Sequence, residues 1–237
     1  MAGSGTERIF ARIYAKNAWG DAESRSGIGS SAARTELLRR RLTKLLLDLG
    51  VRSLLDLPCG DFNWMRLTEL PGIEYTGADI VRPLIEKNNL LYARPGRRFL
   101  RLDMLSDAVP KADLVLCRDG LVHLSFFDIA QALNRMHDGG TTYLLTTTFR
   151  AHRRNKDIAT GGWRPLNLEL APFCFPAPLQ ILTDARPDGT AADKALALYR
   201  FTGLSGRVLE LHRTAKNRMR LPETLRRGIS RVRTTLG

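Results

Sequence analysis

Between Ala32 and Phe149 short apolar runs, most of them ending at an acid, alternate with stretches at helical spacing. "ARTELLRRRLTKLLLDLG" carries Leu37, Leu38, Leu42, Leu45, Leu46 and Leu49 at helical intervals and stops at Gly50, a C-cap signal. "SLLDL" then predicts a buried strand, "FNWMRLTEL" a helix ending at Pro71-Gly72, and "IEYTGADI" a strand ending at Asp79. "RPLIEKNNLLYA" predicts a helix with Pro83 in its first turn. "RRFLRLDM" and "ADLVLCRD" predict strands ending at Asp103 and Asp119, "SFFDIAQALNRMHDGG" a helix, and "TTYLLTTTF" a further strand. This rhythm predicts an α/β, Rossmann-like, doubly wound and mostly parallel sheet with right-handed crossovers.

Beyond Phe149 the rhythm breaks. Residues 150–178 are too long and too rich in Pro and Gly for a standard crossover, and long structured loops in compact domains are usually functional. "KALALYRF" and "GRVLELHR" then predict two closing strands, antiparallel, which complete a seven-stranded sheet. The expected organisation is an N-terminal lid or arm over residues 1–31, a main domain over 32–212 containing the 150–178 insertion, and a basic extension over 213–237.

Composition limits the function classes. The chain of 237 residues is 43% hydrophobic, enough for one sizeable α/β domain. Its formal charge of +13, carried mostly by arginine, suits an anionic partner or reflects compositional bias. Cys59, Cys117 and Cys174 are odd in number, lack metal-ligand spacing and offer no disulfide framework, so a reducing compartment is expected. No apolar run reaches membrane-spanning length and no signal-peptide core opens the chain, which makes the cytoplasm the default location.

In open α/β sheets ligands bind beyond the carboxyl ends of the strands. Asp56, Asp79 and Asp103 end three predicted strands, and Asp79 follows the "DLPCGD" turn at the spacing used for ribose recognition. The alternative is that these acids only cap loops. A pyrophosphate needs a glycine-rich turn that delivers N–H groups, whereas Asp56 and Asp61 around Pro58-Cys59-Gly60 would repel one. Acids there suit a cofactor that is cationic at that end, a sulfonium or an amino-acid ammonium.

"LLDLPCGD", "YTGADI", "FLRLDM" and "ADLVLCRDGLVHLS" together resemble the successive motifs of class I S-adenosylmethionine-dependent methyltransferases, over residues 32–149. Of the family's three spaced glycines only the middle one, Gly60, is present; Pro58 and Phe62 stand at the other two positions. The resemblance implies that Asp79 with Ile80 binds the ribose, that Asp103 with Met104 binds the adenine, and that Asp56 to Asp61 and Arg118 surround the methionine end. "NAWGDAESRSGIGSS" and "GGWRPLNLELAPFCFPAP" resemble segments of bacterial polysaccharide-associated sugar O-methyltransferases, with the mycobacterial methylmannose polysaccharide 1-O-methyltransferases the nearest group. That finer likeness implies a small-molecule or oligosaccharide acceptor, down to the 1-OH of a methylated mannoside.

Methylating an alcohol requires its proton to be removed. Asp119 and His123, four residues apart after the fourth strand, are the expected catalytic pair, with the carboxylate orienting the imidazole; the alternative is that His123 caps a helix. His137 and His212 read as structural and His152 as solvated. Trp163 offers a face for stacking a sugar ring and Asn167 a hydrogen-bonding group, although Trp163 equally suits an anchor for the insertion. Arg25 is expected to hold the cofactor carboxylate, with "SGIGSS" closing as a lid. Asp119 and Asp61 leave room for Mg²⁺ without demanding it, and a homodimer stays open.

Two rival functions remain at this level. The basic charge suits an RNA methyltransferase, but "RDGL" stands where an Asn/Asp-Pro-Pro-aromatic motif is expected. A non-catalytic partner subunit of the same fold is the other, against which Asp119, His123 and the insertion argue.

Overall fold

The computed structural model describes residues 4–184, 193–204, 210, 211 and 213. Seven strands form one sheet in the order β3-β2-β1-β4-β5-β7-β6. They are β1 (Ser53–Asp56), β2 (Glu74–Asp79), β3 (Arg97–Arg101), β4 (Leu114–Cys117), β5 (Tyr143–Phe149), β6 (Gln180–Thr183) and β7 (Lys194–Arg200). The first five are parallel, and β7 runs antiparallel to both β5 and β6. All four residues of β4 are buried, as a central parallel strand covered on both faces requires.

Helices α2 (Ala32–Asp48) and α3 (Arg82–Tyr92) cover one face, and α4 (Phe126–Asp138) the other. From α2, Leu38, Leu42, Leu45 and Leu46 enter the core, whereas Leu37 is exposed. Gly50 takes a φ of +65° past the helix end, the left-handed turn that a C-cap glycine supplies. Ser125 caps α4 by accepting from the Asp128 N–H at 3.1 Å.

Three sequence expectations change. The segment 62–70 is no helix but a single 3-10 turn at Met65–Leu67. Phe62, Asn63, Trp64 and Met65 are four consecutive buried residues, a pattern no amphipathic helix face provides. Phe62 sits at a φ of +60° and packs its ring against Tyr75, Tyr92 and Phe99 at 5.0–5.3 Å. Second, the outer closing strand is Gln180–Thr183; of the expected strand over 206–213 only Glu210, Leu211 and Arg213 are described, with helical backbone, and the rest lies outside the described residues. His212 and most of the basic 213–237 extension lie outside the described residues. Third, the expected arm contains a helix, α1 (Gly5–Ala15), capped by Ser4.

The insertion over 150–178 has no regular element, yet it is not loose. Leu166, Leu168, Phe173 and Phe175 are buried in the α4-side core. Buried Asn155 donates to the carbonyls of Asn167 at 2.7 Å and Ala171 at 3.0 Å, and its Oδ1 accepts from Asn167 N–H at 2.9 Å. Asn155→Ala leaves the Ala171 carbonyl and the Asn167 N–H without this partner, while the Asn167 carbonyl keeps the Leu170 N–H at 3.2 Å. A loss of roughly 1–3 kcal/mol is expected, read as a lower Tm by calorimetry.

Candidate active site

The parallel strands all point their carboxyl ends at one cleft. Asp56 closes β1 and is fully buried; its Oδ2 accepts the Tyr75 hydroxyl at 2.7 Å. Burial raises its pKa to about 7, and Tyr75 and Arg118 only partly offset that. Asp79 closes β2 and accepts the N–H groups of Val81 at 3.0 Å and Gly60 at 3.1 Å. Burial raises its pKa to about 6 despite those bonds.

The Pro58–Gly60 turn explains its own composition. Gly60 has a φ of +54°, and a Cβ on it would stand 2.1 Å from Ser26 Oγ. The glycine is therefore needed for the close approach of residues 24–26. Asp61 fastens that approach: its carboxylate accepts from Ser24 Oγ at 3.0 Å, Arg25 N–H at 2.8 Å and Ser26 Oγ at 3.2 Å. Asp61 is thus engaged by residues 24–26 and does not line the cleft, unlike the other acids the sequence reading grouped with it. Arg25 does line it, with Nη1 donating to the Tyr14 carbonyl at 3.0 Å.

Helix α1 covers the other end. Ser4 Oγ donates to Asp103 Oδ2 at 3.0 Å, and Glu7 pairs with Arg101 at 2.8 Å. Asp103 is buried, and Met104 beside it lines the cleft.

Past β4, four charges meet. Asp119 accepts from Lys194 Nζ at 2.6 Å and Thr147 Oγ1 at 3.2 Å; Lys194 also pairs with Asp184 at 3.0 Å. Arg118 grips Asp184 through two bonds of 3.0 Å and donates to the Gly29 carbonyl at 2.8 Å. Burial works to raise the Asp119 pKa, but Lys194 and Arg118 prevail and hold it well below the usual carboxylate range.

Asp119 does not bond to His123, contrary to the expected pairing, because its oxygens face Lys194 and Thr147. His123 Nδ1 instead meets the Gly162 carbonyl at 2.7 Å. A carbonyl only accepts, so Nδ1 carries the proton and the neutral ring keeps Nε2 as acceptor. Burial lowers the imidazole pKa. The insertion thus orients the histidine: Gly161 N–H donates to the His123 carbonyl at 2.9 Å and Arg164 N–H to the Val122 carbonyl at 3.2 Å.

Pro58, Cys59, Gly60, Ile80, Arg118, Asp119 and His123 all line the same cleft as Asp56, Asp79 and Asp103. Trp163 and Asn167 do not. Trp163 is 58% exposed with its ring edge-on to Phe149 at 5.9 Å, and buried Asn167 spends its Oδ1 on Glu169 N–H at 3.0 Å. The aromatic wall comes instead from Phe10, Tyr14 and Trp19, the last tilted over His123 at 5.2 Å. These three, and the Lys194–Asp184 pair, escaped sequence reading. Helical spacing of Phe10 and Tyr14 was the available signal; nothing local marks Lys194.

Asp61 and Asp119 do not assemble a metal site, and among the described residues no group of three or more His, Cys, Asp or Glu side chains converges. No helix among these residues is long and apolar enough to cross a membrane.

No protein-family model matches the sequence, and no curated protein matches it either. Solved structures do. The Burkholderia thailandensis 1,6-didemethyltoxoflavin-N1-methyltransferase superposes with a TM-score of 0.55 at 15% identity, over 84% of this chain and 92% of that one. A bacterial Hen1 methyltransferase domain gives 0.53 at 11% identity, over 70% and 98%. The human N-acetylserotonin methyltransferase gives 0.50 at 16% identity over 83% of this chain, which spans 60% of that protein's length. The chain has the class I methyltransferase fold.

The histidine geometry makes a direct prediction. An NMR titration of His123 should show a midpoint below the ordinary value of about 6.5, with Nδ1 protonated in the neutral ring. A midpoint at or above 6.5 would contradict the burial of the ring, and an Nε2-protonated ring would contradict the Gly162 bond.

Proposed function

We propose that this chain is an S-adenosylmethionine-dependent O-methyltransferase with His123 as general base. The observation that carries the reading is the location of His123. Its Nδ1 is fixed by Gly162 and its Nε2 is left as acceptor, in one cleft with Asp79 and Asp103. When bound, S-adenosylmethionine supplies an electrophilic sulfonium methyl group. The chain's own residues supply binding and proton removal. Asp79 would accept the two ribose hydroxyls, Asp103 and Met104 would hold the adenine, and Asp56, Arg25 and the Pro58–Gly60 turn would surround the methionine end. His123 Nε2 takes the acceptor proton, and the fixed negative charge of Asp119 favours the imidazolium that results.

The acceptor in this reading is a sugar or oligosaccharide hydroxyl, in its narrowest form the 1-OH of a methylated mannoside. Supporting it are the loop resemblance and the aromatic wall of Phe10, Tyr14 and Trp19, whose faces suit sugar C–H groups. Transfer of labelled methyl from the cofactor to oligosaccharides, small phenols and RNA tests the class. Label entering only phenols or RNA would overturn the sugar assignment, and label entering none would overturn the activity.

Two substitutions separate binding from chemistry. Asp79→Ala should weaken cofactor binding by roughly 1.5–3 kcal/mol in calorimetry. Wild-type affinity should also fall as pH drops below about 6, where Asp79 takes up its proton and loses acceptor capacity. His123→Ala should bind cofactor as wild type does and lose about 10²–10⁴-fold in kcat. Turnover near wild type in that variant would move the base elsewhere.

A further inference from the structure

His123 stands on an element too small to hold its own shape. Leu121–His123 is a single 3-10 turn with two backbone bonds of its own, from His123 N–H to the Gly120 carbonyl at 3.1 Å and from Leu124 N–H to the Leu121 carbonyl at 3.2 Å. The last carbonyls of a helical turn need partners from outside it. Here the insertion supplies them all. Gly161 N–H donates to the His123 carbonyl at 2.9 Å, and Arg164 N–H to the Val122 carbonyl at 3.2 Å. The Arg164 guanidinium takes the other two, Nη1 donating to the Leu121 carbonyl at 3.0 Å and Nη2 to the Leu124 carbonyl at 2.8 Å. Of the carbonyls of residues 121–124, only that of His123 is not held by Arg164.

A cation at this place runs against the ordinary preference for neutral interiors. Arg164 is only 5% exposed, and among the described residues it forms no ion pair. The nearby Asp157 accepts instead from the N–H groups of Phe126 at 2.7 Å and Ile158 at 2.9 Å. Burial lowers the Arg164 pKa to about 10, with Asp157 only partly opposing, so the side chain stays charged at neutral pH. The carbonyls are what this charge is matched to. Nε donates to the Lys156 carbonyl at 3.1 Å, and the guanidinium lies over the Phe126 ring at 5.5 Å. A rigid fork with five donors can join the turn to the insertion in this way, whereas the flexible ammonium of a lysine cannot reproduce it.

The clamp acts on the imidazole itself. Residues 161–164 carry the Gly162 carbonyl that meets Nδ1 at 2.7 Å, and they also anchor the turn that carries the ring. Both ends of that bond are therefore set by one segment. Burial comes first in lowering the His123 pKa; Gly162 and Asp119 oppose it, and Arg164 and Lys194 add to it. From the N-terminal segment Phe10 and Trp19 face the ring without charge.

We propose that Arg164 is a positioning residue: by clamping the carbonyls of residues 121–124 it fixes the His123 ring with Nδ1 on Gly162 and Nε2 free to accept a proton. This deepens the reading of His123 as general base and rests on it.

Arg164→Met and Arg164→Lys in the full chain test the clamp. Methionine removes the charge and every side-chain bond, and lysine keeps the charge without the fork. Nitrogen NMR should show the neutral His123 ring protonated at Nδ1 in the wild type and as a mixture of tautomers in both variants. In label-transfer assays kcat should fall about 10²-fold in Arg164→Met and about tenfold in Arg164→Lys. Calorimetry should show unchanged cofactor affinity in both. Variants that keep the wild-type tautomer and kcat overturn the proposal. So does a matching loss of kcat and cofactor affinity, which marks a folding role alone. If circular dichroism shows that neither variant folds, hydrogen exchange at the wild-type guanidinium decides. Slow exchange of the Arg164 Nε–H and Nη–H protons supports the clamp, and exchange as fast as at an exposed arginine overturns it. The NMR readouts need no acceptor. Absent label transfer by the wild type would defeat the methyltransferase reading, and the tautomer would still judge Arg164.

Discussion

Four charges, three of them buried and Asp119 partly exposed, hold the carboxyl end of the sheet together. Arg118, Asp119, Asp184 and Lys194 come from the ends of β4, β6 and β7, and each is tolerable only because the others neutralise it. Removing one partner of such a set strands a buried charge, which typically costs about 3–5 kcal/mol. The set ties three strands to one another and, through Arg118 and the Gly29 carbonyl, ties the segment around Gly29 to the sheet. It also keeps Asp119 ionised, which in the proposed reading leaves proton removal to His123. Stability and proton chemistry rest on the same four side chains.

The strand-helix rhythm made most of the sheet legible in advance, because parallel strands buried on both faces are written as near-continuous apolar runs such as Leu114–Cys117. The acids at strand ends were legible for the same reason: a carboxylate after an apolar run has few structural uses. What failed was anything depending on partners distant in sequence. Asp61 reads as a cofactor acid until Ser24 and Ser26 are seen to fill it. Trp163 reads as a stacking platform, yet Trp19 occupies that wall. His123 lines the cleft, but its hydrogen-bond partner is a backbone carbonyl, which no side-chain pattern can announce.

The two ends of the sheet differ in kind. At the carboxyl end, acids are buried and gather behind aromatic residues; at the amino end, arginines stand exposed. The first arrangement suits a ligand carrying positive charge and hydroxyls. The net charge of +13 therefore hides a polarity along the strands.

Helix α1 has no buried residue of its own and depends on surfaces made much later in the chain. Ser4 needs Asp103, ninety-nine residues on, and Ile9 fits only because Gly161, at a φ of +98°, has no Cβ to meet it at 2.5 Å. A ribosome delivers this helix well before its docking surfaces, which are complete only after the insertion has emerged and packed. A segment made early thus settles late, and the cleft stays unroofed until then.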